Sequence, residues 1–205
     1  MNNEHKMRVL VGCEFSQTVT KAFREQGHEA YSCDILPTEG NPEWHIQGDV
    51  LDVIDDGWDI GIFHPPCTYL ANSGVQHLHK DESRWGKMEA ARDFFMLLHS
   101  CDIEKVCIEN PIPHHYAGLP KYTQIVQPYQ FGHEVQKKTC LWLKGLSKLN
   151  ATNVVEHGEK YIGKDGKSNG SKWYQLSPSK DRWKHRSRTF PGIARAMAAQ
   201  WGVSE

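Results

Sequence analysis

No apolar run in this 205-residue chain approaches the roughly 20 residues needed to cross a bilayer, so a helical membrane span is excluded. The first residues, Met1-Asn-Asn-Glu-His-Lys6, carry no apolar signal core, and a cytoplasmic location is expected. Gly-x-Gly-x-x-Gly does not occur, which argues against a dinucleotide pyrophosphate ligand. Six cysteines (13, 33, 67, 101, 107 and 140) never form Cys-x-x-Cys. Most sit in or beside strand-like runs, as reduced, buried thiols do, so neither a disulfide frame nor a zinc knuckle is expected. Pro66-Cys67 has no second cysteine three residues on, so the zinc deaminase pattern fails. His114 and His115 are adjacent on an extended chain and point to opposite faces, so no metal site is expected.

Strong net charge is also missing, but the value of −1 hides a division. Residues 1–136 carry 10 Lys/Arg and 20 Asp/Glu, whereas residues 137–188 carry 13 against 4. An acidic body with a basic late segment suggests that the late segment meets a polyanion. Trp173, Tyr174 and Trp183 lie among those cations, and aromatics interleaved with Lys/Arg suit nucleic acid.

Two stretches carry the chemistry. Ile60 to Phe63 is an apolar run that stops at Pro65-Pro66, because proline cannot donate to a ladder, and Cys67 follows at once. Lys105 to Ile108 is a second such run, and it ends in Glu109-Asn-Pro111. A thiol and a carboxylate thus stand at two strand ends, where open α/β sheets bind ligands. Taken singly, Cys67 reads more readily as a small buried residue and Glu109 as part of a turn.

Earlier in the chain, Arg8 to Gly12 reads as a first strand. A helix follows with Val19, Ala22 and Phe23 on one face, Ser16 as N-cap and Gly27 as its stop. Ala30 to Cys33 is a second strand closed by Asp34, an acid placed to take ribose hydroxyls. Asp49 either reaches an adenine amino group or caps its own turn. A helix from about Arg84 to Ser100 carries Trp85, Met88, Ala91, Phe95 and Leu98 on its apolar face. Residues 125–143 read as strand-like, 150–187 as mobile until bound, and 193–201 as a closing helix.

In this order the blocks resemble the DNA cytosine-C5 methyltransferases, particularly small phage-type members. Pro65-Pro-Cys67 resembles the family's nucleophile loop and Glu109-Asn-Pro111 its Glu-Asn-Val motif. Val11 to Ser16 stands at its cofactor loop, with one glycine in place of several. The resemblance implies an α/β, Rossmann-like methyltransferase fold with a mostly parallel sheet and a small basic insertion. Residues 1–145 would form the catalytic domain, 146–187 a reduced target-recognition region, and 188–205 a returning helix.

The resemblance further implies S-adenosyl-L-methionine (AdoMet) as cofactor and DNA as partner, with a monomer expected. Cys67, Glu109 and Lys138 are the implied catalytic residues. Gly12, Cys13, Glu14, Phe15, Ser16, Asp34, Ile35, Asp49, Val50, Pro65 and Thr189 are the implied cofactor contacts. Pro66, Ser73, Asn110, Lys137, Lys172, Trp173, Arg182, Lys184 and Arg186 are the implied substrate contacts. On the resemblance, Glu109 is expected to hold N3 of the base with a raised pKa, and Lys138 to neutralise O2 or a phosphate. Two other readings stay open: an exocyclic-amino methyltransferase, for which His64-Pro-Pro-Cys67-Thr-Tyr69 is a near match, and a DNA-binding protein without catalysis.

Overall fold

The computed structural model describes residues 6–158, 160–162, 168–171 and 180–203. Among the described residues, nine strands and four α-helices alternate in the α/β manner. They are β1 (Arg8–Gly12), α1 (Thr18–Glu25), β2 (Glu29–Asp34), β3 (His45–Gln47), β4 (Ile60–Phe63), α2 (Ser83–Ser100), β5 (Lys105–Pro111), β6 (Gln124–Val126), β7 (Thr139–Lys144), β8 (Lys160–Ile162), β9 (Ser168–Ser171), α3 (Arg182–Ser187) and α4 (Pro191–Trp201). Seven strands make one sheet in the order β3-β2-β1-β4-β5-β7-β6, and β8 pairs with β9 as a separate hairpin. The pairs among β1 to β5 are all parallel, and β7 runs antiparallel to both its neighbours. Strand order reverses between β1 and β4, so this mostly parallel mixed sheet has the switch point at which doubly wound folds open a crevice.

Both faces of the sheet are covered, which explains why its strands read as continuous apolar runs. Val9, Val11, Ile60 and Ile62 pack on one face with Val19, Ala22 and Phe23 of α1 and Ile193, Ala194 and Met197 of α4. Leu10, Phe63, Val106 and Ile108 pack on the other with Met88, Phe95 and Leu98 of α2. Successive side chains of β1 fall alternately into the two clusters, as a period of two requires. Phe95 is fully buried against Trp142, ring centroids 5.0 Å apart. Truncating Phe95 to alanine removes a contact of the size that costs about 3–5 kcal/mol in a core.

Register decides what the sheet presents at its carboxyl edge. Gly12 stands opposite Cys33 and Phe63, and Phe63 opposite Ile108. The next residue on each strand therefore joins a single row: Cys13, Asp34, His64 and Glu109. Gly12 is the one position here where no side chain fits, since a Cβ would sit 2.6 Å from Val50 and 2.7 Å from Phe63.

Three expectations change. The run from 125 is strand only to Val126, because Pro128 begins a 3-10 turn that ends at Gln130. The start of α1 is Gln17, in the left-handed region at φ 57°, and not Ser16. The region 150–187 is structured where described. Asn150 exchanges hydrogen bonds with Gln200 on α4, Val155 bonds Tyr129, and β8, β9 and α3 follow. Its anchors are backbone groups, which composition does not report.

Candidate functional site

The loop after β4 is held by its neighbours on both sides. His64 donates its backbone N–H to Gly12, and Asn110 on β5 donates from Nδ2 to the Pro65 carbonyl at 3.0 Å. Beyond Cys67 the chain pairs with the segment after β5: Asn72 N–H donates to Ile112 and His114 N–H to Leu70. The His114 side chain spans the same seam, with Nε2 2.8 Å from the Tyr69 carbonyl. Prolines at 65 and 66 cannot supply amide donors, so partners from β5 fix the loop that carries the thiol.

A cleft of about 800 Å³ opens at the carboxyl edge around the switch point. Along the sheet order, its β2–β3 side carries Asp34, Ile35, Asp49 and Val50, with Cys13 and Phe15 from the loop after β1. Its β4–β7 side carries His64, Pro66 and Cys67, with Lys137 and Lys138 ahead of β7. Ser73, His77 and Arg84 wall it from the segment leading into α2, and Trp183 and Arg186 from α3. Acids thus line one side and cations the other.

Three cysteines border this cleft, and their surroundings separate them. Burial, followed by Asp34 and other negative neighbours, pushes the Cys13 thiol far up; the same causes hold Cys33 at about 11. Burial also raises Cys67, but Lys137 and Arg186 pull it back. Only Cys67 among them has cations to stabilise a thiolate, the form that attacks.

Glu109 lies one layer behind the cleft wall, its side chain 9% exposed. His64 Nδ1 is 3.4 Å from its Oε2, and the Thr189 hydroxyl donates to the same oxygen at 3.0 Å. Burial pushes the Glu109 carboxyl up, but His64, Lys137 and Thr189 outweigh it and bring it down to about 2. This overturns the raised pKa expected from sequence: the partners that reverse it come from residues 64, 137 and 189, far away along the chain. His64 is correspondingly raised, since its pairing with Glu109 and the charge of Glu14 exceed the cost of burial. Burial likewise raises Asp34, against the Leu36 amide and the charge of His45.

Several implied contacts have other work. Glu14 is buried and accepts from the Val19 and Thr20 amides and the Thr20 hydroxyl, so it caps α1 instead of facing the cleft. Ser16, Glu14 and Thr189 border a separate pocket of about 40 Å³, which also touches Cys13, His64 and Arg188. Asp49 caps its own turn, its carboxylate accepting from Leu51 N–H, and it also lines the cleft. Asn110 is 1% exposed and Pro65 is its acceptor, so both position the loop and neither lines the cleft. Lys184 pairs with Glu39 at 3.6 Å and Arg188 pairs with the same carboxylate, which docks α3 against the acidic body. Arg182 opens α3, while Lys172 and Trp173 lie outside the described residues.

Lys138 lines the cleft, but the cation that acts on both Cys67 and Glu109 is Lys137, anchored through Nζ to the Arg186 carbonyl at 3.2 Å. Sequence reasoning gave His64 a place only in the amino-methyltransferase reading and Trp183 only among the aromatics suited to nucleic acid, and it passed over Arg84; all three line the cleft, and the Trp183 ring lies 5.7 Å from Phe15. The adjacency of His64 to the two prolines was the available signal. Known protein-family models include none that matches this chain, and curated proteins include no matching relative.

Proposed function

We propose that this chain is an AdoMet-dependent methyltransferase acting on C5 of cytosine in DNA, with Cys67 as nucleophile. The observation that carries the reading is that Cys67, in the loop after β4, and Glu109, on β5 one residue past its parallel pairing with β4, belong to adjacent strands. Of the cleft cysteines, Cys67 alone is flanked by Lys137 and Arg186. The cofactor fits the other side of the cleft. Asp34 would take its ribose hydroxyls and Asp49 its adenine amino group, with Ile35, Val50 and Phe15 as apolar wall. A glycine-poor loop is no obstacle to a ligand without phosphate. AdoMet supplies an electrophilic methyl group when bound.

The remaining chemistry falls to the protein. C5 of cytosine is a poor nucleophile until sulfur adds at C6 and makes it enamine-like. Negative charge then spreads toward N3, where a proton relieves it, and Glu109 is the carboxyl whose charge acts on the Cys67 thiol. Lys138 is free to neutralise O2 or a phosphate. A base inside a duplex is out of reach and must be flipped, or offered single-stranded. The cations on the β4–β7 side, with Trp183 beside them, suit the backbone and a stacked base.

Mass spectrometry after incubation with AdoMet and an oligonucleotide bearing 5-fluorocytosine tests the reading, because fluorine at C5 blocks release. A methylated adduct that disappears in Cys67→Ser is the expected result. No adduct with single- or double-stranded forms would replace this reading with amino-group methylation or binding alone.

A further inference from the structure

We infer that His64 stores the proton that Glu109 delivers to the target base, so that the acid of this site is a histidine–carboxylate pair. The inference rests on the cytosine-C5 reading above. Its geometric basis is the crowding on one oxygen. His64 Nδ1 and the Thr189 hydroxyl both approach Glu109 Oε2, at 3.4 and 3.0 Å. With the Thr189 hydroxyl donating to Oε2, that oxygen stands as acceptor toward His64, and Nδ1 holds the hydrogen between them. Both side chains are about nine-tenths buried, at 10% and 9% exposure, which strengthens the pair over its value in water. The charged groups facing His64 are Glu109, Glu14 and Asp34 on the acidic side and Lys137 on the basic side, with Arg188 and Cys13 across the small pocket. Burial and the charge of Lys137 oppose a charge on His64, but its pairing with Glu109 and the charge of Glu14 outweigh them and raise its pKa.

The proton balance closes. Cys67 releases its thiol proton to solvent, and the sulfur–C6 bond forms. The C5=C6 electron pair moves through C4 to N3 as His64 Nδ1 passes its proton to Glu109 Oε2 and Glu109 passes that proton on to N3. The products are a neutral enamine adduct, a Glu109 carboxylate and a neutral imidazole. Among the described residues His64 Nε2 has no hydrogen-bond partner, and the residue borders the 40 Å³ pocket, which has room for a water to return the proton.

The test is the pH dependence of adduct formation in single turnovers with the 5-fluorocytosine oligonucleotide. Because the reaction needs a thiolate together with a protonated acid of lower pKa, the rate climbs with pH to a bend at the acid's pKa and then levels. In His64→Asn the acid becomes Glu109 alone. The bend is then expected to move down by at least one pH unit, with the plateau falling about tenfold for each unit moved. A lower plateau with an unmoved bend marks a merely structural role and overturns the inference, leaving the C5 reading intact. No adduct in the wild-type protein overturns both. Should His64→Asn fail to fold, a nitrogen-15 NMR titration of His64 in the wild-type protein decides. A pKa above 6.5 supports the pair, and one below it overturns the inference.

Discussion

Glu14 is the sharpest test of how this site is built, because sequence resemblance and structure give it different work. The residue is 5% exposed, and its carboxylate accepts from Val19 N–H at 2.7 Å, Thr20 N–H at 3.2 Å and the Thr20 hydroxyl at 2.7 Å. Val19 and Thr20 are themselves fully buried, so water does not replace the lost acceptor. Each hydrogen bond to a charged group is worth about 1.5–3 kcal/mol, and bonds sharing one carboxylate do not add fully. Glu14→Ala should therefore cost about 3 kcal/mol, also losing the favourable charge at the helix start. For a chain of this length that is a fall in Tm of about 6–12 °C. Glu14→Gln keeps one acceptor oxygen and should cost about 1 kcal/mol. Urea unfolding followed by circular dichroism reads both variants, with the midpoint moving and the slope unchanged. A Glu14→Ala protein within about 0.5 kcal/mol of wild type would refute the capping argument, since the smallest of these bonds exceeds that value.

Other outcomes follow from the same geometry. Cys13 holds φ at 59° without being glycine, so Cys13→Gly should raise stability by up to about 1 kcal/mol in thermal unfolding, by relieving left-handed strain. Asn110→Ala frees the Pro65 carbonyl and should lower adduct formation at Cys67 at least about tenfold while leaving AdoMet affinity, read by calorimetry, within about twofold. The His64–Glu109 pair should stabilise the fold over a defined window. Glu109 is depressed from its ordinary 4.5, so its contribution is complete above that value and is lost as pH falls toward about 2. His64 is raised from its ordinary 6.5, so its contribution is complete below that value and is lost as pH rises past its folded pKa. The stability gap between wild type and Glu109→Gln should accordingly be widest between pH 4.5 and 6.5; a gap flat from pH 3 to 9 would contradict the pairing.

The sequence by itself determined the elements that short-range rules govern. Apolar runs ending in glycine, proline or an acid marked β1, β2, β4 and β5, and the spacing of Met88, Phe95 and Leu98 marked the buried face of α2. It also put Cys67 in the loop after β4, because a run that ends at proline must hand over to a loop, but it ended β5 too early: the strand runs on through Glu109 to Pro111, paired with β7. Only the tertiary structure decided what those residues meet. Parallel register aligned Cys13, Asp34, His64 and Glu109 in one row, although they lie up to 96 positions apart (109 − 13). Folding turned Glu14 toward helix amides, and it brought Thr189 and His64 onto a single carboxylate oxygen. Charge state followed from those meetings. A carboxyl expected to be raised is held down, since its pKa reflects burial and neighbours, and both are fixed by contacts between residues remote in the chain.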